Sequence, residues 1–278
     1  MRNEIIAQRF NGTHALYNLK NADILDCVFA GPADGASALK EARNVNLENC
    51  SFSLRHPLWH AEKFRLHDSR LDEDTRAPLW YCQSGQITDS DILGPRAIRE
   101  CKNITIRDCN VTSEEFGRQS TGIAVTDSTL DARHLFLDSR NVTLENVKTS
   151  GSYSFRNTEN LTIRNSVLDT EDGFWYSKNI TVEDCLVMGD HLGWFSDGLT
   201  LRRCKIVGTQ PLCHCKNLTL VDCTMEGCDL AFENSDVNAS LIGHVNSIRN
   251  PRSGEIVADT VGELILEDAV TECTVTIR

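Results

Sequence analysis

Along most of the chain, apolar residues come in pairs separated by one polar position, as in KNITIRDC, RNVTLENV, ENLTIRNS, KNITVEDC, DGLTLRRC and KNLTLVDC. These segments share one pattern: Asn, apolar, Thr, apolar, any residue, Asp or Asn, then a small residue. Its first position falls at Asn103, Asn141, Asn160, Asn179, Gly198 and Asn217, at intervals of 38, 19, 19, 19 and 19 residues. A 19-residue period predicts looser copies at Ser84, Gly122 and Asp236. Asn44 and Lys63 begin two more, and Asn21 begins another after a longer interval, which makes twelve copies.

Two apolar columns around one polar position describe a strand with one buried face, and the three-and-four spacing of a helix does not recur. A third apolar column lies eight residues after the first position (Phe29, Phe52, Leu71, Ile92), and a fourth lies five before it (Leu58, Leu79, Phe155, Phe174). Glycines such as Gly94, Gly151, Gly189 and Gly208 mark the turns between them. Each unit therefore reads as three short strands and three turns, whose apolar face is buried only when coils stack. The expected fold is all-β: a single-stranded right-handed parallel β-helix of about twelve coils, forming one domain over residues 1–278. Its handedness follows from the right-handed preference of parallel crossovers. Residues 21–242 form the coils, with an N-terminal cap at 1–20 and a C-terminal cap at 243–278 covering strand edges that would otherwise be open.

Stacked NITIRDC-like units resemble the pectin-lyase-like superfamily of right-handed β-helices. The chain as a whole resembles an uncharacterised bacterial family of such proteins, a domain of unknown function. The resemblance implies polysaccharide lyases, hydrolases, epimerases and binding scaffolds as relatives. The sequence lacks the Asn-Thr-Asp, Gly-His-Gly and Arg-x-Lys sets of the polygalacturonase kind, so no catalytic residue carries over.

Most apparent motifs dissolve into the repeat. The five Asn-x-Thr sequons form a column suited to an amide ladder at a turn. Charges at the fifth position, Glu145, Arg164, Glu183 and Arg202, alternate in sign from coil to coil and suit a solvated face. Of the twelve cysteines, nine lie in two columns where Ser is interchangeable, as expected of small buried fillers. The stretch PLCHC at 211–215 does not read as a metal site: Cys213 is expected to point outward and Cys215 inward, whereas zinc needs about four converging ligands. No metal and no cofactor are expected.

One column is more selective. Four residues before the first position stand Trp59, Trp80, Arg99, Arg118, Leu137, Arg156, Trp175, Trp194, Cys213 and Phe232, a set that includes all four tryptophans. Alternation with the apolar column beside it turns this one outward. Trp flanked by Arg suits a sugar polymer, with indoles meeting the apolar faces of sugar rings and Arg pairing with carboxylates. The competing reading is a surface packed against a loop, a cap or another subunit. Beside it, TEDGFWYS and GDHLGWFS lie one coil apart, placing Glu171 near Asp190 and Asp172 near His191. Asp172 or Glu171 is then the candidate base and Asp190 or His191 the candidate acid, with Arg156 holding an anionic group. The competing reading is an exposed acidic turn.

Forty acidic against 28 basic residues, a net charge of −12, disfavour nucleic acid and anionic membranes as partners, and no apolar run approaches a membrane span. The start MRNEIIAQRFNGTHALYNL lacks the apolar core of a secretory signal, so a cytoplasmic protein with reduced thiols is expected. Two functional readings stand. In one, the protein binds or processes a carbohydrate, an acidic one included, along the Trp and Arg face. In the other it is a non-enzymatic scaffold joined to another protein, or to its own copy, through that face or the rod ends.

Overall fold

The computed structural model describes residues 2–31, 36–267 and 271–278. The fold is a parallel β-solenoid of about 14 turns at the 19-residue spacing, with no helix among the described residues. The chain, expected as one domain, divides into two compact units, Met1–Thr143 and Leu144–Arg278.

In the first unit the repeat pattern forms six-residue strands, among them Lys20–Leu25, Arg43–Glu48, Glu62–His67, Gln83–Thr88 and Lys102–Arg107. They pair in parallel with like positions in register, Ala22 on Val45, Val45 on Phe64 and Gly85 on Ile104. Shorter strands such as Val28–Ala30 and Ser51–Ser53 form a second side, and Leu58–Trp59, Leu79–Trp80 and Ile98–Arg99 a third. Because every coil repeats its neighbour, equal side chains meet face to face. Phe10, Phe29 and Phe52 stack at 5.0 and 4.8 Å between ring centroids, a geometry worth roughly 0.5–1.5 kcal/mol per pair beyond burial.

The Asn column is a run of left-handed residues: Asn21, Asn44, Lys63, Ser84 and Asn103 have φ of 52–57°, and Gly122 has φ 70°. This explains why Asn and Gly exchange there, since both tolerate that conformation. The expected amide ladder forms in both units, with Asn44 Nδ2 donating to Asn21 Oδ1 at 2.7 Å and Asn179 Nδ2 to Asn160 Oδ1 at 3.3 Å.

The second unit carries the same first side, from Glu159–Arg164 through Lys178–Glu183 and Asp197–Arg202 to Leu218–Glu226. The alternating charges pair as expected, Arg164 Nε lying 2.8 Å from Glu183 Oε2. Cys185, Cys204 and Cys223 form a buried column in which each thiol donates to the carbonyl two residues earlier, at 3.0–3.5 Å. Ser166 does the same with the Arg164 carbonyl at 2.6 Å, and this shared bond is why Cys and Ser interchange. Among the described residues no disulfide forms.

The segments assigned to the caps carry strands in register with the coils. Asn3–Ile6 pairs in parallel with Lys20–Leu25, Asn3 on Ala22 and Ile5 on Ile24. At the other end Asp236–Arg249 pairs with Ser253–Ile265, and this with Glu272–Ile277. Asp236 meets Ser253 where the period called for Glu255, so counting in steps of 19 loses the chain there.

Gly85 interrupts an otherwise apolar column because the Phe64 ring of the preceding coil fills its place; a Cβ at residue 85 would fall inside that ring. Gly85→Val is expected to destabilise the protein by about 1–3 kcal/mol through overpacking. Adding Phe64→Val should recover most of the loss, and urea denaturation of the two single variants and the double variant measures that coupling.

Candidate functional site

In the first unit the Trp and Arg column forms a closed stack. Trp59 and Trp80 lie in register with ring centroids 5.8 Å apart and planes 15° off parallel. Lys40 Nζ covers the Trp59 ring at 4.6 Å, and the Arg99 guanidinium covers Trp80 at 5.3 Å. Glu100 Oε1 accepts from Trp80 Nε1 and lies near Arg99 Nε, both at 3.3 Å, while Arg118 pairs with Glu115 at 3.2 Å. Ring faces on which a sugar could stack are thereby occupied from within the protein.

The second unit brings the other candidates together. Asp172 and His191 hold left-handed corner positions, φ 52° and 54°, on consecutive coils, and the Asp172 N–H donates to the Asp190 carbonyl at 3.0 Å. His191 Nδ1 lies 3.2 Å from Asp172 Oδ1. The Asp172 side chain is 19 % exposed and that of His191 38 %, so the pair is screened by protein on one side and open to solvent on the other. The His191 ring stands edge-on to Trp194 at 5.1 Å, and its carbonyl accepts from Trp175 Nε1 at 2.7 Å. Trp194 Nε1 donates in turn to the Gln210 carbonyl at 2.8 Å. Both indoles are half-buried and stack on each other at 5.6 Å, 6° from parallel. Gly193, with φ 76°, lets the chain turn just before Trp194, where a Cβ would press on Leu212 and Leu199.

The other two carboxylates differ. Asp190 Oδ1 accepts the Thr209 N–H at 2.9 Å and so holds a turn. Glu171 is exposed, and its carboxylate has no partner among the described residues. Arg156 is exposed with its guanidinium 5.8 Å from the Tyr176 ring.

Tyr176 and Phe195, which sequence reasoning did not single out, lie one position further on, in line with His214. Tyr176 and Phe195 stack at 5.0 Å, and Phe195 and His214 at 4.9 Å, each pair 8° from parallel. Tyr176 is 45 % and Phe195 41 % exposed, so this ladder, more than the tryptophans behind it, meets solvent. His214 also stands edge-on to Trp194 at 5.7 Å and meets the Asn234 amide at 3.3 Å through Nδ1. The available signal was the aromatic pairs WY and WF, at a position where other coils carry polar turn residues such as Glu100, Gln119 and Asn157.

Two expectations for the column fail. Cys213 is 1 % exposed, turned inward rather than outward, with its thiol near the carbonyls of Gln210, Pro211 and Leu230. Phe232, placed in the outward column, is fully buried. The His214 N–H bonds the Glu233 carbonyl, which stacks Cys213 on Glu233; this coil holds one residue more than the period, so Phe232 drops into the core column of Leu212. Among the described residues no three His, Cys, Asp or Glu side chains converge as a metal site would require.

A family model described as "Protein of unknown function (DUF3737)" matches residues 3–278. The chain belongs to the DUF3737 family. No match emerges among curated proteins. Among solved structures it is similar to the A-module of the Azotobacter vinelandii mannuronan C-5 epimerase AlgE6, at 11 % identity and TM-score 0.35 over 99 % of this chain and 90 % of that one. It is also similar to the tailspike protein of E. coli bacteriophage HK620, at 10 % identity and TM-score 0.35 over 98 % and 66 %. A third likeness is to the GH136 lacto-N-biosidase from Eubacterium ramulus, at 8 % identity and TM-score 0.29 over 99 % and 62 %. At such values the likenesses carry no argument about chemistry.

Burial pushes the Cys213 thiol up to about 12 and the Cys215 thiol to about 11, far from the reactive thiolate range. Iodoacetamide at about pH 8 should therefore leave PLCHC unmodified in the native protein and label Cys273 first, because Cys273 alone among the cysteines is not fully buried. Peptide mass spectrometry, with the unfolded chain as control, reads the outcome.

Proposed function

We propose that the second unit binds a carbohydrate at a site centred on His191 and has the means for acid–base chemistry there. The observation that carries this reading is the Asp172–His191 pair: a ring oriented through Nδ1 by a carboxylate, walled by Trp194, with Nε2 left without a partner among the described residues. With the Nδ1 proton directed at Asp172, Nε2 presents a lone pair to a ligand hydroxyl. Nε2 can take the hydroxyl's proton as a base, leaving the ligand oxygen with the O–H electron pair, and return it as an acid, while Asp172 steadies the imidazolium through the retained Nδ1–H. The ring faces of the neighbouring ladder are stacked, so the ligand meets ring edges and hydrogen-bonding groups. Glu171 supplies a further acceptor, and Arg156 a cation for the carboxylate of an acidic sugar.

Oligosaccharide panels containing neutral and uronic-acid members test the reading by calorimetry and by the ring resonances of His191. Binding of at least one member is expected, with loss on His191→Ala. Asp172→Asn should weaken it about tenfold or more, the scale of one charge-assisted hydrogen bond. Absence of binding across the panel, or binding indifferent to His191→Ala, would overturn the proposal.

The scaffold reading draws on a different observation, the exposed rims of Tyr176 and Phe195. Under it, Tyr176→Ser with Phe195→Ser abolishes an assembly seen by size-exclusion chromatography with light scattering, while His191→Ala leaves that assembly intact.

A further inference from the structure

Charges on neighbouring coils are generally neutralised. In the first unit Arg43 lies 3.4 Å from Glu62 and Arg70 lies 3.5 Å from Asp91. The Asp column does not follow this pattern, since Asp68, Asp89 and Asp108 lie in register on consecutive coils, and neither does one basic corner. Arg55 and Arg76 stack in register on consecutive coils, since the His56 N–H donates to the Arg76 carbonyl at 3.0 Å. On the next coil the Ala77 N–H donates to the Pro95 carbonyl at 2.9 Å, which sets Arg96 beside Ala77. Arg55 and Arg76 are exposed and Arg96 half-buried. None of the three guanidiniums has an ion pair or a side-chain hydrogen bond among the described residues. Coils about 4.8 Å apart place like charges directly opposite, an arrangement that is unfavourable by itself. In a chain with a net charge of −12 it calls for an anion.

His56 reports on the same corner. Its Nδ1 meets the Ala77 carbonyl at 3.2 Å, and its ring lies against Trp59 and Trp80 at 5.9 and 5.4 Å. Lys40 and Arg99 cover the far faces of those indoles. Burial holds the His56 pKa below the ordinary imidazole value; its bond to the Ala77 carbonyl acts in the opposite direction, and the positive fields of Arg55 and Arg76 add to the lowering. Arg55 adjoins His56 in the chain, and Arg76 adjoins Ala77, whose carbonyl meets the His56 ring.

We propose that Arg55 and Arg76, with Arg96 on the following coil, form a binding site for a compact multivalent oxyanion of the polyphosphate or polycarboxylate class. Guanidinium forks on adjacent coils can grip neighbouring oxygens of one ligand, which removes their mutual repulsion. Nucleic acid fits less well: single strands need open aromatic faces for their bases, and those of Trp59 and Trp80 are covered.

The test is calorimetric titration of the full chain at low ionic strength with tripolyphosphate and, separately, with citrate, alongside the imidazole resonances of His56. At least one ligand should bind, and saturation should raise the His56 pKa, because the anion cancels a positive field. Arg55→Gln and Arg76→Gln should each weaken binding about tenfold, the loss of one charge-assisted contact. Arg65→Gln, the same charge change at an exposed position on the strand Glu62–His67, should leave it unchanged. Preference for tripolyphosphate identifies phosphate chemistry, and preference for citrate identifies carboxylate chemistry. The proposal fails if neither ligand binds, if Arg65→Gln weakens binding as much as Arg76→Gln, or if the His56 pKa does not move.

Discussion

The in-register parallel ladder between successive coils is the constraint on which everything else depends. A coil of 19 residues cannot enclose its own apolar side chains, so each must lie flat on the next with its strands paired residue for residue. Register then decides which side chains touch. A residue's neighbours are its counterparts one coil away, so each column must tolerate stacking on itself. Aromatic rings do so by offset stacking, amides by ladders, hydroxyls and thiols by bonding a carbonyl two residues back, and the charges at Arg164, Glu183 and Arg202 by alternating in sign.

That constraint shapes the chemistry as well. Indoles stacked along a column have little face left for a ligand, and in the first unit Lys40 and Arg99 close the two ends of the Trp59–Trp80 pair. In the second unit the tryptophans serve as a wall, their N–H groups tied to the carbonyls of His191 and Gln210. Open to solvent are the imidazole edge of His191 and the rims of Tyr176 and Phe195, together with Glu171 and Arg156. Both proposed sites lie where a column breaks its own rule. Asp172 under His191 is a carboxylate–imidazole pair in a corner column, and Arg55 on Arg76 is a like-charge pair with no ion pair among the described residues.

Much of the fold was legible because it is written many times. Twelve copies of one pattern outweigh the ambiguity of any single segment, and the strands, the amide ladder and the exchange of Cys for Ser followed from columns alone. Legibility failed where the spacing changed. The coil from Leu212 to Phe232 is one residue longer than the period, and that from Asp236 to Ser253 two residues shorter, which misplaced Phe232 and hid the strands toward the C-terminus. At the N-terminus, Asn3–Ile6 was missed because a strand with little burial carries little apolar signal.

For the site, the sequence by itself determined which residues share a column and which coils are neighbours, and hence that Asp172 lies beside His191 and Trp175 beside Trp194. Periodicity specifies contact along the stack, because parallel register is a one-dimensional rule. Tertiary structure alone decided which way each side chain turns at a corner: Cys213 inward, Tyr176 and Phe195 outward, Asp190 onto a backbone N–H. Those directions depend on backbone dihedrals and on the bulk of adjacent coils, which a one-dimensional period does not encode.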